Sequence, residues 1–143
     1  MAEMSKLVKT AIFKAPPERV WEFLTDKDRL GQWYHPGEND LAEGSSYTLV
    51  TKGEDGSKKP LIWGRVLTWE PPRRLVTTFC IGPFEGSETT VTWDLSPFAE
   101  GTHLTLSHDG IAEAAGEAAL PLSMALDKGW DEHLGSLRAA AEA

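Results

Sequence analysis

Apolar residues recur along this chain with two different periods, and each change of period marks a new element. Residues 5–15, SKLVKTAIFKA, predict a first strand. PPERVWEFL (16–24) follows, with Val20, Trp21, Phe23 and Leu24 at helical spacing. Its prolines suit a first helical turn, and Glu18 suits the positive end of the helix dipole. Thr25 and Asp26 are capping residue types that open a second short helix, in which Leu30 and Trp33 stand three apart. HPGEND ends it.

From Leu41 onward the period is two. Strands are predicted at 45–51, 60–69, 74–81, 87–97 and 101–109, separated by GEDGSK, EPPR, GPFEG and FAEG, each rich in turn residues. Two strands alternate cleanly. Val91, Trp93 and Leu95 oppose Glu88, Thr90, Thr92, Asp94 and Ser96; Leu104, Leu106 and His108 oppose His103, Thr105, Ser107 and Asp109. One face of the sheet is therefore wet and the other covered. In 60–69 the two faces are mixed: Leu61, Trp63, Leu67 and Trp69 share parity with Arg65, while Ile62 and Val66 lie opposite.

The cover comes from the C-terminal end. Leu122, Leu126, Trp130, His133, Leu134, Leu137 and Ala141 recur at steps of three and four, with Pro121 in the first turn. Gly129 costs this helix about 1 kcal/mol against alanine. The reading is that Gly129 lets the backbone sit close to the sheet, with Trp130 reaching beneath it. The class is α+β: a curved antiparallel sheet of six to seven strands around a long C-terminal helix, with two short helices after the first strand.

Composition narrows the function. The chain has 143 residues, enough for one domain spanning 1–143, and a formal net charge of −8. Lys58–Lys59 and Arg73–Arg74 are isolated turn pairs, so no basic stripe suits nucleic acid or an anionic membrane. Cys80 is the sole cysteine, which rules out an internal disulfide. No apolar run approaches the ~20 residues of a membrane span, and no signal segment opens the chain, so a cytoplasmic protein is expected.

Motifs of chemistry are few. The histidines are His35, His103, His108 and His133, without metal-ligand spacing. KGEDGSKK is a hairpin turn rather than a phosphate loop. Cys80 reads as a small hydrophobe. No metal, cofactor or catalytic residue is assigned. His108 stands out, on the otherwise apolar face of its strand; it is read either as a hydrogen-bonded core histidine or as a polar anchor in an apolar pocket. His133 shares the covered face of the long helix and takes the same two readings. Trp33, Tyr47, Trp63, Phe79, Trp93 and Trp130 are assigned inward. Glu88, Asp94, Asp127, Asp131 and Glu132 read as solvated charges.

APPERVWEFLTDKDRLGQWY, WGRVLTWEPPRRLVTTF, GTHLTLSHDG and KGWDEHLGSL together resemble the domain related to the C-terminal part of the heat-shock-protein-90 ATPase activator, within the START-like (SRPBCC, helix-grip) superfamily. The resemblance spans about residues 5 to 140. It implies a sheet gripping the terminal helix around a cavity, where relatives hold lipids, sterols, polyketides or plant metabolites. The eponymous co-chaperone has an additional N-terminal domain for which this sequence has no room, so a chaperone partner is not expected. The expected function is binding of a small hydrophobic or amphipathic molecule, with the rings named above, His108 and His133 lining the cavity. A cyclase or lyase using His108 or His133, and a protein-interaction module of the co-chaperone kind, are the alternatives. A homodimer is left open.

Overall fold

The computed structural model describes residues 6–84 and 86–142. Ser5, where the first predicted strand begins, and Glu85 of GPFEG lie outside them. The element order is β1 (Lys6–Phe13), α1 (Pro17–Thr25), α2 (Lys27–Trp33), β2 (Ser46–Lys52), β3 (Lys58–Glu70), β4 (Arg74–Phe79), β5 (Thr89–Phe98), β6 (Gly101–Asp109), α3 (Ile111–Ala115) and α4 (Ala119–Glu142). The six strands form one curved antiparallel sheet in the order β1-β6-β5-β4-β3-β2. Pro17 opens α1, and the Asp26 carboxylate accepts from the Asp28 and Arg29 amides to cap α2.

Alternation carries over into packing. Val91 pairs with His108, Trp93 with Leu106 and Leu95 with Leu104, and all six are buried. Helix α4 lays Trp130, Leu134, Leu137 and Ala141 on that face. Its 24 residues run about 36 Å, long enough to cross the sheet. The far end of α4 is held where the Arg19 Nε donates to the Ala141 carbonyl at 2.6 Å and the Lys14 amide donates to Glu142 at 2.8 Å. Between them, Lys9 of β1 pairs with Asp127 and Asp131 of α4.

Two expectations are corrected. First, β3 carries two register shifts, one opposite Leu49/Val50 and one between Val66 and Thr68. Each bulge reverses parity. The apparent stripe of Leu61, Trp63, Leu67 and Trp69 is thereby divided. Trp63 and Leu67 face outward, 36% and 51% exposed, whereas Trp69 turns in against Trp21 at 5.1 Å. Second, Gly129 is not a point of close approach: a Cβ placed there meets nothing within 4 Å. Closeness demands glycine instead at Gly64, where a Cβ would collide with the Thr78 carbonyl, and at Gly101, where it would collide with the Phe13 carbonyl. Helix α3, which the sequence pattern does not announce, precedes the long helix, which begins at Ala119. The alanine-rich stretch before Pro121 offers little periodicity, and Ile111 alone buries deeply. Several of the charges expected to be solvated form partly exposed ion pairs: Glu88 with Arg65, Asp94 with Arg74, and the Lys9 triad.

Candidate functional site

The concave face of the sheet, α2 and α4 enclose an apolar centre. A cavity of about 40 Å³ lies there, walled among others by Trp33, Tyr34, Tyr47, Phe79, Trp93 and Trp130. A void of that size admits water and little else. Beside it, between α4 and the β3–β4 side of the sheet, runs a more open groove of about 290 Å³. Leu61, Ile81, Leu122 and Leu126 form its apolar sides, and His35 and His133 stand along it. Tyr34, Ile62, Phe79 and Trp130 line both spaces. These four side chains are the partition, and movement of Tyr34 or Trp130 would join the two. The joined volume reaches the ~300 Å³ at which ligand pockets begin.

The partition is held by a chain of hydrogen bonds. The Trp130 indole Nε1 donates to His108 Nδ1 at 3.0 Å. With Nδ1 accepting, the proton of the neutral ring sits on Nε2, which donates to Thr89 Oγ1 at 2.8 Å. Thr89 in turn donates to the Phe79 carbonyl at 2.7 Å. His108 is wholly buried. Burial pushes its pKa down to about 4, because no anion compensates a charged ring. Both ring nitrogens are used, so His108 offers no free atom to a ligand or to proton transfer. Its role is to orient Trp130. The core-histidine reading describes it, and the polar-anchor reading does not.

The remaining candidates separate by position. Trp33, Tyr47, Phe79, Trp93 and Trp130 are brought together around the cavity; Trp33 meets Trp93 at 6.0 Å, and Trp93 meets Trp130 at 5.6 Å. The Trp33 indole donates to the Phe23 carbonyl and the Tyr47 hydroxyl to the Thr78 carbonyl, so both rings are fixed. His133 lines the groove instead. Trp63 belongs to neither space. It stands on the outer face beside Arg65 and Glu88, because the bulge at Leu49/Val50 sets its parity. Cys80 is buried and distant in role, its thiol directed at the Ile81 carbonyl.

Two ring-bearing lining residues escaped the sequence reading. Tyr34 and His35 follow directly after α2, where helical periodicity stops and nothing in the pattern says which way a side chain points. Tyr34 stacks on Trp33 at 5.0 Å and meets His133 at 4.6 Å, His35 at 4.8 Å and Trp130 at 5.6 Å. Desolvation holds its hydroxyl protonated, and the nearby Tyr47 adds to the effect. Burial also lowers the pKa of His35, reinforced by His133. His133 is lowered by burial too, against the opposing pull of the Trp33 backbone and Glu132. No Lys, Arg, Asp or Glu lines the cavity or the groove. Among the described residues no cluster of three or more His, Cys, Asp or Glu side chains is arranged to hold a metal ion. Among the same residues no helix is long and apolar enough to cross a membrane.

This architecture has known counterparts. A family model described as Activator of Hsp90 ATPase homolog 1-like protein matches residues 14–142. The chain belongs to that family. Among solved members of the fold, CalU16 from Micromonospora echinospora is 25% identical, superposes with a TM-score of 0.77 and is matched over 98% of this chain and 78% of its own. DynU16, from the dynemicin biosynthetic locus, is 25% identical with a TM-score of 0.75; the match covers 96% of this chain but 47% of that one. CV1439 from Chromobacterium violaceum shares the fold, with a TM-score of 0.78 over 96% of this chain and 98% of its own at 24% identity. No curated protein matches by sequence.

Proposed function

We propose that the chain binds a small hydrophobic or amphipathic molecule between the sheet and α4, entering through the groove. The observation that carries this reading is the shared wall: Tyr34, Ile62, Phe79 and Trp130 each touch both the central cavity and the groove. Burial of apolar surface drives association at about 25 cal/mol per Å² gross, less the cost of ordering the partition. The resemblance to DynU16, a protein of the dynemicin biosynthetic locus, supports a small organic ligand rather than a macromolecule.

The test is a melting screen against lipids, aromatics and polyketides, joined to native mass spectrometry of freshly purified protein. A ligand at 100 times its Kd adds about 2.7 kcal/mol to stability, a shift of several degrees. Gly129→Leu fills the open side of the groove and is expected to abolish the shift while the variant stays folded. The reading fails if the whole panel leaves both the melting curve and tryptophan fluorescence of the native chain unchanged.

A further inference from the structure

We infer that the groove selects an uncharged, flat aromatic molecule bearing a hydroxyl, and that His133 receives that hydroxyl. The inference rests on the binding reading above and adds a ligand class to it. Charge is the first argument. Neither space is lined by Lys, Arg, Asp or Glu. A carboxylate, phosphate or ammonium head drawn into these walls would lose its hydration with no counter-charge to replace it. The chain's net charge of −8 further disfavours anions. Size is the second. About 290 Å³ of groove beside about 40 Å³ of cavity accommodates a fused two- or three-ring body and is short for a long acyl chain. Trp130, Phe79 and Tyr34 offer ring faces and edges to such a body.

The third argument is the hydrogen-bonding state of the polar groups. His133 is half-buried along the groove, its ring centroid 4.6 Å from that of Tyr34. A neutral imidazole that donates from one nitrogen accepts at the other. Bordering the groove, that acceptor can take an O–H or N–H from a bound molecule. A carboxylate has no hydrogen to give it; a phenol does. The Tyr34 hydroxyl is complementary. It is held protonated on the wall shared by the two spaces. It can donate to a carbonyl or ether oxygen on the same ligand. His35, 5.7 Å from His133 between ring centroids, closes the polar end.

Three matched probes test this: 2-naphthol, naphthalene and 2-naphthoate, each measured by equilibrium dialysis at pH 7.5 against the full chain. 2-Naphthol is expected to bind about tenfold more tightly than naphthalene, the worth of one good hydrogen bond, and 2-naphthoate more weakly than either. His133→Phe should bring 2-naphthol down to the level of naphthalene and leave naphthalene unchanged. His133→Gln, which keeps an acceptor, should restore part of the difference. Equal binding of 2-naphthol and naphthalene by the native chain overturns the role of His133 while the apolar pocket stands. Tighter binding of 2-naphthoate overturns the selection against charge. Absence of binding by all three, together with a silent melting screen, removes the pocket reading itself.

Discussion

Acidification should unfold this protein through one residue more than any other. His108 is wholly buried and hydrogen-bonded as a neutral ring, with its pKa pushed down to about 4 from an ordinary value near 6.5. Between those two values the unfolded chain binds a proton at this position and the folded chain does not. Stability therefore rises with pH across the window and is lost as pH falls through it. The full effect is about 3 kcal/mol, since each pH unit between the two values contributes about 1.4 kcal/mol. The chain's pI is about 4.9, so titration is best stopped above it, where solubility holds. Down to pH 5.5 the loss relative to pH 7 is about 1 kcal/mol. His35 and His133 are also held below their ordinary values and add to the loss in the same direction. Urea unfolding followed by far-ultraviolet circular dichroism at pH 7.0, 6.5, 6.0 and 5.5 gives the slope. In His108→Gln an acceptor and a donor remain for Trp130 and Thr89, but nothing titrates. That variant should show a slope smaller by about 1 kcal/mol over the same interval, the remainder belonging to His35, His133 and the carboxylates. An unchanged slope would refute the reasoning, because a buried neutral His108 cannot be silent.

Other outcomes follow from the same geometry. His108→Leu and Trp130→Phe should each destabilise by about 1–3 kcal/mol, since each orphans the other's buried polar atom; the double variant should fall short of their sum by about 1 kcal/mol, and additivity within about 0.5 kcal/mol in urea titrations would deny the bond. Gly129→Ala should raise stability by about 1 kcal/mol, a Tm gain of about 3 °C by calorimetry, because the added methyl meets open space; a loss would mean the backbone is closer to the sheet than described. Gly64→Ala should lower stability by at least about 2 kcal/mol, since the methyl collides with the Thr78 carbonyl that also receives the Tyr47 hydroxyl; an unchanged midpoint in urea would remove that collision. Lys9→Met should cost less than about 1 kcal/mol and lose even that in high salt, because Asp127 and Asp131 are largely exposed; a salt-independent loss would assign the effect to packing of the lysine stem.

Much of the fold was legible from local periodicity. The two-residue alternation of 91–95 and 104–108 defined which side of the sheet was covered, and the three–four spacing from Leu122 to Ala141 defined what covered it. Each signal is local: a strand or helix that buries one face writes its period into a handful of neighbours. The same logic placed Trp33, Tyr47, Phe79, Trp93 and Trp130 around one interior. It failed at Trp63, where a bulge that nothing in the composition announces turned the ring outward. It also missed Tyr34 and His35, which follow the last turn of a helix and obey no period.

What tertiary structure alone decided was the state of the polar groups. His108 and His133 look alike along the chain, each a histidine on an apolar face. One is sealed behind Trp130 with both nitrogens engaged, and the other borders the groove. Whether the interior is hollow or filled was equally beyond the sequence, because a void depends on how rings from α2, β2, β4, β5 and α4 meet. Periodicity tells which way a residue faces; only the packed chain tells what it faces.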